Sequence, residues 1–118
     1  MKPATTRLRG TRAPDRLSKA RLAAMIEEAT VDAYGESEQA TGWFTMFEEH
    51  LELPFETKVL GTAVIVASID LRDDGQIIAI CTCGRERQLI SLVDLPLPSP
   101  KPAGSEWIEV YRCWLGGR

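Results

Sequence analysis

The hydrophobic pattern changes its period at Pro54. Before that residue, apolar side chains recur every three or four positions: Leu17, Ala20, Ala24, Met25 and Ala29, then Ala40, Trp43, Phe44, Phe47 and Leu51. This spacing collects them on one side of a helix, so two helices are predicted. The first should start near Asp15, which follows Pro14 and can cap the exposed amides, and Gly35 should end it. Ser37 is a suitable cap for the second helix, and Pro54 stops it. The short break at Gly35 and Glu36 suggests an antiparallel helical hairpin, with other crossing angles left open.

From Phe55 the period is two. Phe55, Thr57 and Val59 alternate with Glu56, Lys58 and Leu60, and residues 62–71 are rich in Val and Ile. Asp73-Asp74-Gly75 reads as a hairpin turn. Strands are therefore expected over 55–60, 62–71, 76–83 and 87–93. Leu95-Pro96-Leu97-Pro98-Ser99-Pro100-Lys101-Pro102 can be neither a helix nor a central strand, and is read as an extended strap. Ser105 then caps a last helix, whose Trp107, Val110, Tyr111 and Trp114 fall at core-packing spacing. The fold class that results is α+β: an N-terminal helical hairpin, a small antiparallel SH3-like barrel or sheet of about four to five strands, and a C-terminal helix.

Size fits one domain. With 118 residues, 44% of them hydrophobic, the chain can bury a real core over 15–118, behind a disordered basic arm over 1–14. No apolar run approaches a membrane span and no signal-peptide pattern is visible, so a cytoplasmic protein without a membrane partner is expected. Arg7, Arg9 and Arg12 could touch nucleic acid, but the overall charge of −3 argues against it.

Chemistry of the usual catalytic kinds is missing. His50 is the single histidine, no Ser or Cys nucleophile stands near it, and there is no glycine-rich phosphate loop. Cys81, Cys83 and Cys113 could join His50 in a zinc site on paper. A Cys-x-Cys pair on one strand face is, however, the usual pattern of small core hydrophobes. The expectation is a protein that is not an enzyme.

Charge changes the picture. From Leu22 to Thr57 the chain carries nine carboxylates and no Lys or Arg: Glu27, Glu28, Asp32, Glu36, Glu38, Glu48, Glu49, Glu52 and Glu56. Acids crowded like this repel one another, and binding a cation or a basic partner relieves the repulsion. Glu48, Glu49 and Glu52 stand at the end of the second helix, where the helix dipole is already negative, and Glu56 follows Pro54. A hard divalent cation could use these carboxylates together with free terminal carbonyls. Asp32, Glu36 and Glu38 form a second cluster around the interhelical turn. Asp70, Asp73 and Asp74 form a third, explained by turn chemistry alone. No EF-hand spacing is present. Spacing alone leaves open a solvated acidic face paired with Arg16, Lys19 and Arg21.

A resemblance bears on that choice. Val31-Asp32-Ala33-Tyr34-Gly35-Glu36-Ser37-Glu38-Gln39-Ala40-Thr41-Gly42-Trp43 is similar to the CcbP-like family of small bacterial calcium-binding proteins. The similarity continues through Phe47-Glu48-Glu49-His50-Leu51-Glu52-Leu53-Pro54-Phe55-Glu56, then Asp94-Leu95-Pro96-Leu97-Pro98 and Glu106-Trp107-Ile108, spanning roughly residues 24 to 115. It implies Ca²⁺ binding by acidic surface residues, with Asp32, Glu36, Glu38, Glu48 and Glu49 as the matching acids. Helix-end electrostatics adds Glu52 and Glu56. The expected function is a non-catalytic cytoplasmic calcium buffer or sensor, its partner the calcium ion, with an unidentified protein partner left open. The alternative is an interaction module that docks a basic protein or nucleic acid.

Overall fold

The computed structural model describes residues 17–116. The expected basic arm over 1–14 and the expected helix start at Asp15 lie outside the described residues. Helix α1 runs over Lys19–Thr30, and Ser18 caps it by accepting a 3.1 Å hydrogen bond from the Arg21 amide. It ends five residues before the expected stop at Gly35. Thr30 turns its hydroxyl back onto the Ile26 carbonyl, and Asp32 takes a left-handed φ of 58°, so the chain has already left the helix.

Helix α2 spans Glu36–His50 and starts at Gly35, not Ser37. The Glu38 carboxylate makes this start: its Oε1 accepts from the amides of Tyr34 (2.9 Å) and Gly35 (3.2 Å). A carboxylate reaching back from the third helical position outcompetes the Ser37 hydroxyl as the cap. Where α1 and α2 cross, a Cβ on Gly42 would stand 2.0 Å from the Ala29 carbonyl oxygen, so only glycine permits this approach.

Four strands follow: β1 (Phe55–Val59), β2 (Thr62–Leu71), β3 (Ile77–Cys83) and β4 (Glu86–Ser91). They pair antiparallel in the order β1-β2-β3-β4, which is an up-and-down sheet with β1 and β4 at its edges. Alternation sets the faces. Thr57, Val64, Val66, Ala79 and Cys81 point inward and are buried, whereas Ile65 and Leu89 are exposed on the other side. The expected last strand over 87–93 is shorter, because Leu92–Asp94 forms a turn of 3₁₀ helix. Cys81 and Cys83 share a face as expected, yet only Cys81 reaches the core, where burial raises its thiol pKa. Cys83 lies at the strand end opposite Glu86 and is exposed.

Helix α3 (Ser105–Gly116) closes the core. Its Trp107, Tyr111 and Trp114 surround the fully buried Trp43 at centroid distances of 6.4, 5.4 and 5.3 Å, and Phe47 meets Tyr111 edge-on at 5.4 Å. Aromatic packing of this kind makes Trp43 worth about 3–5 kcal/mol on truncation to alanine.

The proline segment is indeed a strap, held at three points. Thr57 donates its hydroxyl to the Pro96 carbonyl at 2.8 Å. Arg112 donates to the carbonyls of Leu92 and Leu95, and the Glu52 amide donates to the Ala103 carbonyl at 2.9 Å. Burial lowers the Arg112 pKa, opposed by the nearby charges of Glu109 and Asp94.

Candidate metal centre

All nine acids of the Leu22–Thr57 stretch are exposed, so none is sacrificed to the core. Among the described residues, no Lys or Arg forms an ion pair with Glu27, Glu28, Glu48 or Glu49. Of the bases that the solvated-face reading named, Lys19 and Arg21 form no ion pair with these four acids, and Arg16 lies outside the described residues. Among the described residues, the ion-pair partner of Glu49 is His50, at 3.9 Å, and the His50 ring is stacked on Trp107 at 5.1 Å and 11°.

The fold sorts these acids into different surroundings. Glu36, in the first turn of α2, lines a hollow of about 340 Å³ between α2, the β2–β3 turn and the end of α3. Asp73 and Asp74 line the same hollow from the turn, with the hydroxyl residues Ser37 and Thr41 beside them and Trp114 as one wall. The turn is shaped by Gly75 at φ 88°, by the Gly75 amide bonding the Arg72 carbonyl, and by Asp74 Oδ1 accepting from the Gln76 amide at 3.0 Å. That Asx bond holds one oxygen of Asp74 in the turn.

Glu52 and Glu56 come together elsewhere, around a hollow of about 370 Å³ under the strap, lined also by Pro98–Pro102 and Lys101. The Lys101 ammonium is bound to Glu109 at 2.9 Å. Glu52 Oε1 faces the Ala103 amide at a long 3.5 Å.

The remaining expected site residues stand apart. Glu38 is committed to capping α2. Asp32 occupies the left-handed turn after α1, and Glu48 and Glu49 line neither hollow. The expected convergence of Glu48, Glu49, Glu52 and Glu56 on one point thus divides into two pairs. Asp73 and Asp74, which sequence reasoning assigned to turn chemistry, do shape the turn and also line this hollow. Their neighbour Glu36 lies far away along the chain, and only the packing of α2 against the sheet brings them near.

The first hollow is lined by three carboxylates and the three hydroxyl residues Ser37, Thr41 and Tyr111, with the cationic Arg72 at its rim and no thiol or imidazole. This donor set suits Ca²⁺, which takes six to eight oxygens at about 2.3–2.6 Å in flexible geometry. Among the described residues, no three acid, thiol or imidazole groups stand together at metal-holding distance.

Comparison with known proteins agrees with this chemistry. A family model described as calcium binding, of the CcbP type, matches residues 23–115. One similar solved structure is a calcium binding protein in its calcium-binding form, 21% identical, covering 85% of this chain and 92% of that one with a TM-score of 0.68. A second is Anabaena CcbP, also 21% identical, covering 87% and 95% with a TM-score of 0.64. No curated protein matches the sequence. Both structures share the α+β fold, and the family match spans most of the chain: this protein belongs to the CcbP-type calcium-binding family.

Proposed function

We propose that this chain is a non-catalytic calcium buffer or sensor of the cytoplasm, and that its principal ion sits between the start of α2 and the β2–β3 turn. The observation that carries the placement is the meeting of Glu36 with Asp73 and Asp74 around one oxygen-lined hollow. Ser37 and Thr41 are available to complete the shell, so the design owes nothing to an EF-hand loop. Glu52 and Glu56 form a second position with two carboxylates where the first has three, and each hollow also holds one base, Lys101 here and Arg72 in the first. Asp32, Glu48 and Glu49 add to the attracting field without binding directly, and Glu38 keeps α2 in register. No helix among the described residues is long and apolar enough to cross a membrane.

Exposed side chains spend part of the binding energy on ordering, so a dissociation constant of about 10⁻⁵ to 10⁻³ M is expected. Magnesium, which demands a compact octahedron, should bind far more weakly. Calorimetry with both ions on the intact chain checks this. Ca²⁺ heat that survives in Glu49→Gln and is lost in Asp73→Asn supports the placement. Full binding in Asp73→Asn together with loss in Glu49→Gln would move the site to the other end of α2.

A further inference from the structure

One face of the sheet is apolar without belonging to the core. β3 reads Ile77-Ile78-Ala79-Ile80-Cys81-Thr82, almost continuously apolar, which is the pattern of a strand covered on both sides. Ile77, Ala79 and Cys81 turn inward and join the core; by alternation Ile78 and Ile80 turn outward. A solvated sheet face normally carries polar residues. This one carries Ile65 and Leu89, 41% and 48% exposed, around Ile78 and Ile80. None of these four packs into the core cluster.

The strand register puts charge at both edges of the same face. Glu56 on β1 pairs with Ile65 on β2, Ile65 with Thr82 on β3, and Thr82 with Arg87 on β4. Residues paired across antiparallel strands share a face, so this row runs from an acid at one edge to a base at the other. The next row is Ser68, Ile80 and Leu89. Lys58 and Asp70 stand at the two ends of the face as a polar rim. Such a row complements itself. A two-fold axis along the strands, between β2 and β3, lays Glu56 of one copy over Arg87 of the other, and the reverse. It also sets Ile65 and Ile80 of both copies beside one another in the middle.

We propose that this face joins two copies of the chain, their sheets packed face to face with a Glu56–Arg87 pair at each edge. Four strands spaced about 4.8 Å apart give a face of about 300–400 Å² per copy, roughly half of what a standard interface buries on each side. The dimer is therefore a weak one, with a dissociation constant of about 10⁻⁵ to 10⁻⁴ M. This contact goes beyond the calcium reading and stands without it.

Sedimentation equilibrium of the full chain over about 5–500 µM tests it. A reductant keeps the exposed Cys83 and Cys113 as thiols, and a chelator removes calcium because Glu56 also lines the hollow under the strap. The mean mass should rise with concentration from one chain toward two. Arg87→Glu and Glu56→Arg should each weaken association about tenfold or more by setting like charges together, and both changes in one chain should restore it. Leu89→Lys should abolish it, while its circular dichroism stays that of the unsubstituted chain. A chain that remains single at every concentration would overturn the proposal. So would a dimer indifferent to Leu89→Lys, or one that the double reversal fails to restore. A single chain that instead cosediments with vesicles of anionic phospholipid, and stops doing so in Leu89→Lys, would overturn it in favour of a membrane surface. Because calcium is absent throughout, none of these results depends on where the ion binds.

Discussion

The two ends of α2 are almost equally acidic and do opposite things. At its start, Glu36 and Glu38 face the positive end of the helix dipole, and Glu38 closes the helix by accepting two backbone amides. At its finish, Glu48 and Glu49 face the negative end, and among the described residues the one ion-pair partner there is His50, beside Glu49. The first arrangement stabilises the helix and costs nothing to maintain. The second is strained electrostatically and persists because the surrounding fold holds the helix. What sets the proposed metal position apart from the rest of the acidic surface is the second acidic segment folded against it. The start of α2 has Asp73 and Asp74 across one hollow, whereas Glu48 and Glu49 line neither hollow.

Substitutions at each end should separate these roles. The largest effect is expected at Gly104, which fixes the finish of α2. Its φ is 85° and an added Cβ would stand 2.0 Å from the His50 carbonyl oxygen, so Gly104→Ala should cost about 3 kcal/mol or more in urea denaturation. A loss below about 1 kcal/mol would show that the α2–α3 junction yields easily.

Next is the cap. Glu38→Ala should lower stability by about 1 kcal/mol, since the amides of Tyr34 and Gly35 lose their acceptor. At the other end the sign reverses: Glu48→Gln/Glu49→Gln should raise stability by a few tenths to about 1 kcal/mol, by removing negative charge from the negative pole. Destabilisation by this pair would break the contrast. The smallest effect is expected for Asp73→Asn without calcium, a gain of at most a few tenths of a kcal/mol from relieved repulsion with Glu36 and Asp74.

Local periodicity made most of the fold legible. The stripes Ala40–Phe47 and Trp107–Trp114 and the alternation from Phe55 depend only on neighbouring residues, and each became the element it implied. Boundaries were harder to read where side chains compete for backbone. Thr30 bonding back to Ile26 and Asp32 in the left-handed region end α1 early. Glu38 was visible as an acid but not as a cap, although a glutamate three residues after Gly35 carries that signature. Cys83 failed to follow Cys81 inward because the strand outruns the core at the turn beside Gly84. The candidate site was half legible. Glu36 stood out by charge, but its approach to Asp73 and Asp74 joins segments far apart in the chain, which no local pattern encodes.

Following backbone amide resonances during a Ca²⁺ titration locates the ion most directly. Binding between the start of α2 and the β2–β3 turn should shift Glu36, Ser37, Asp73, Asp74 and Gly75 first and most, with the Trp114 indole signal moving in step. Earliest and largest shifts at Glu48 and Glu49, with the β2–β3 turn unmoved, would contradict it.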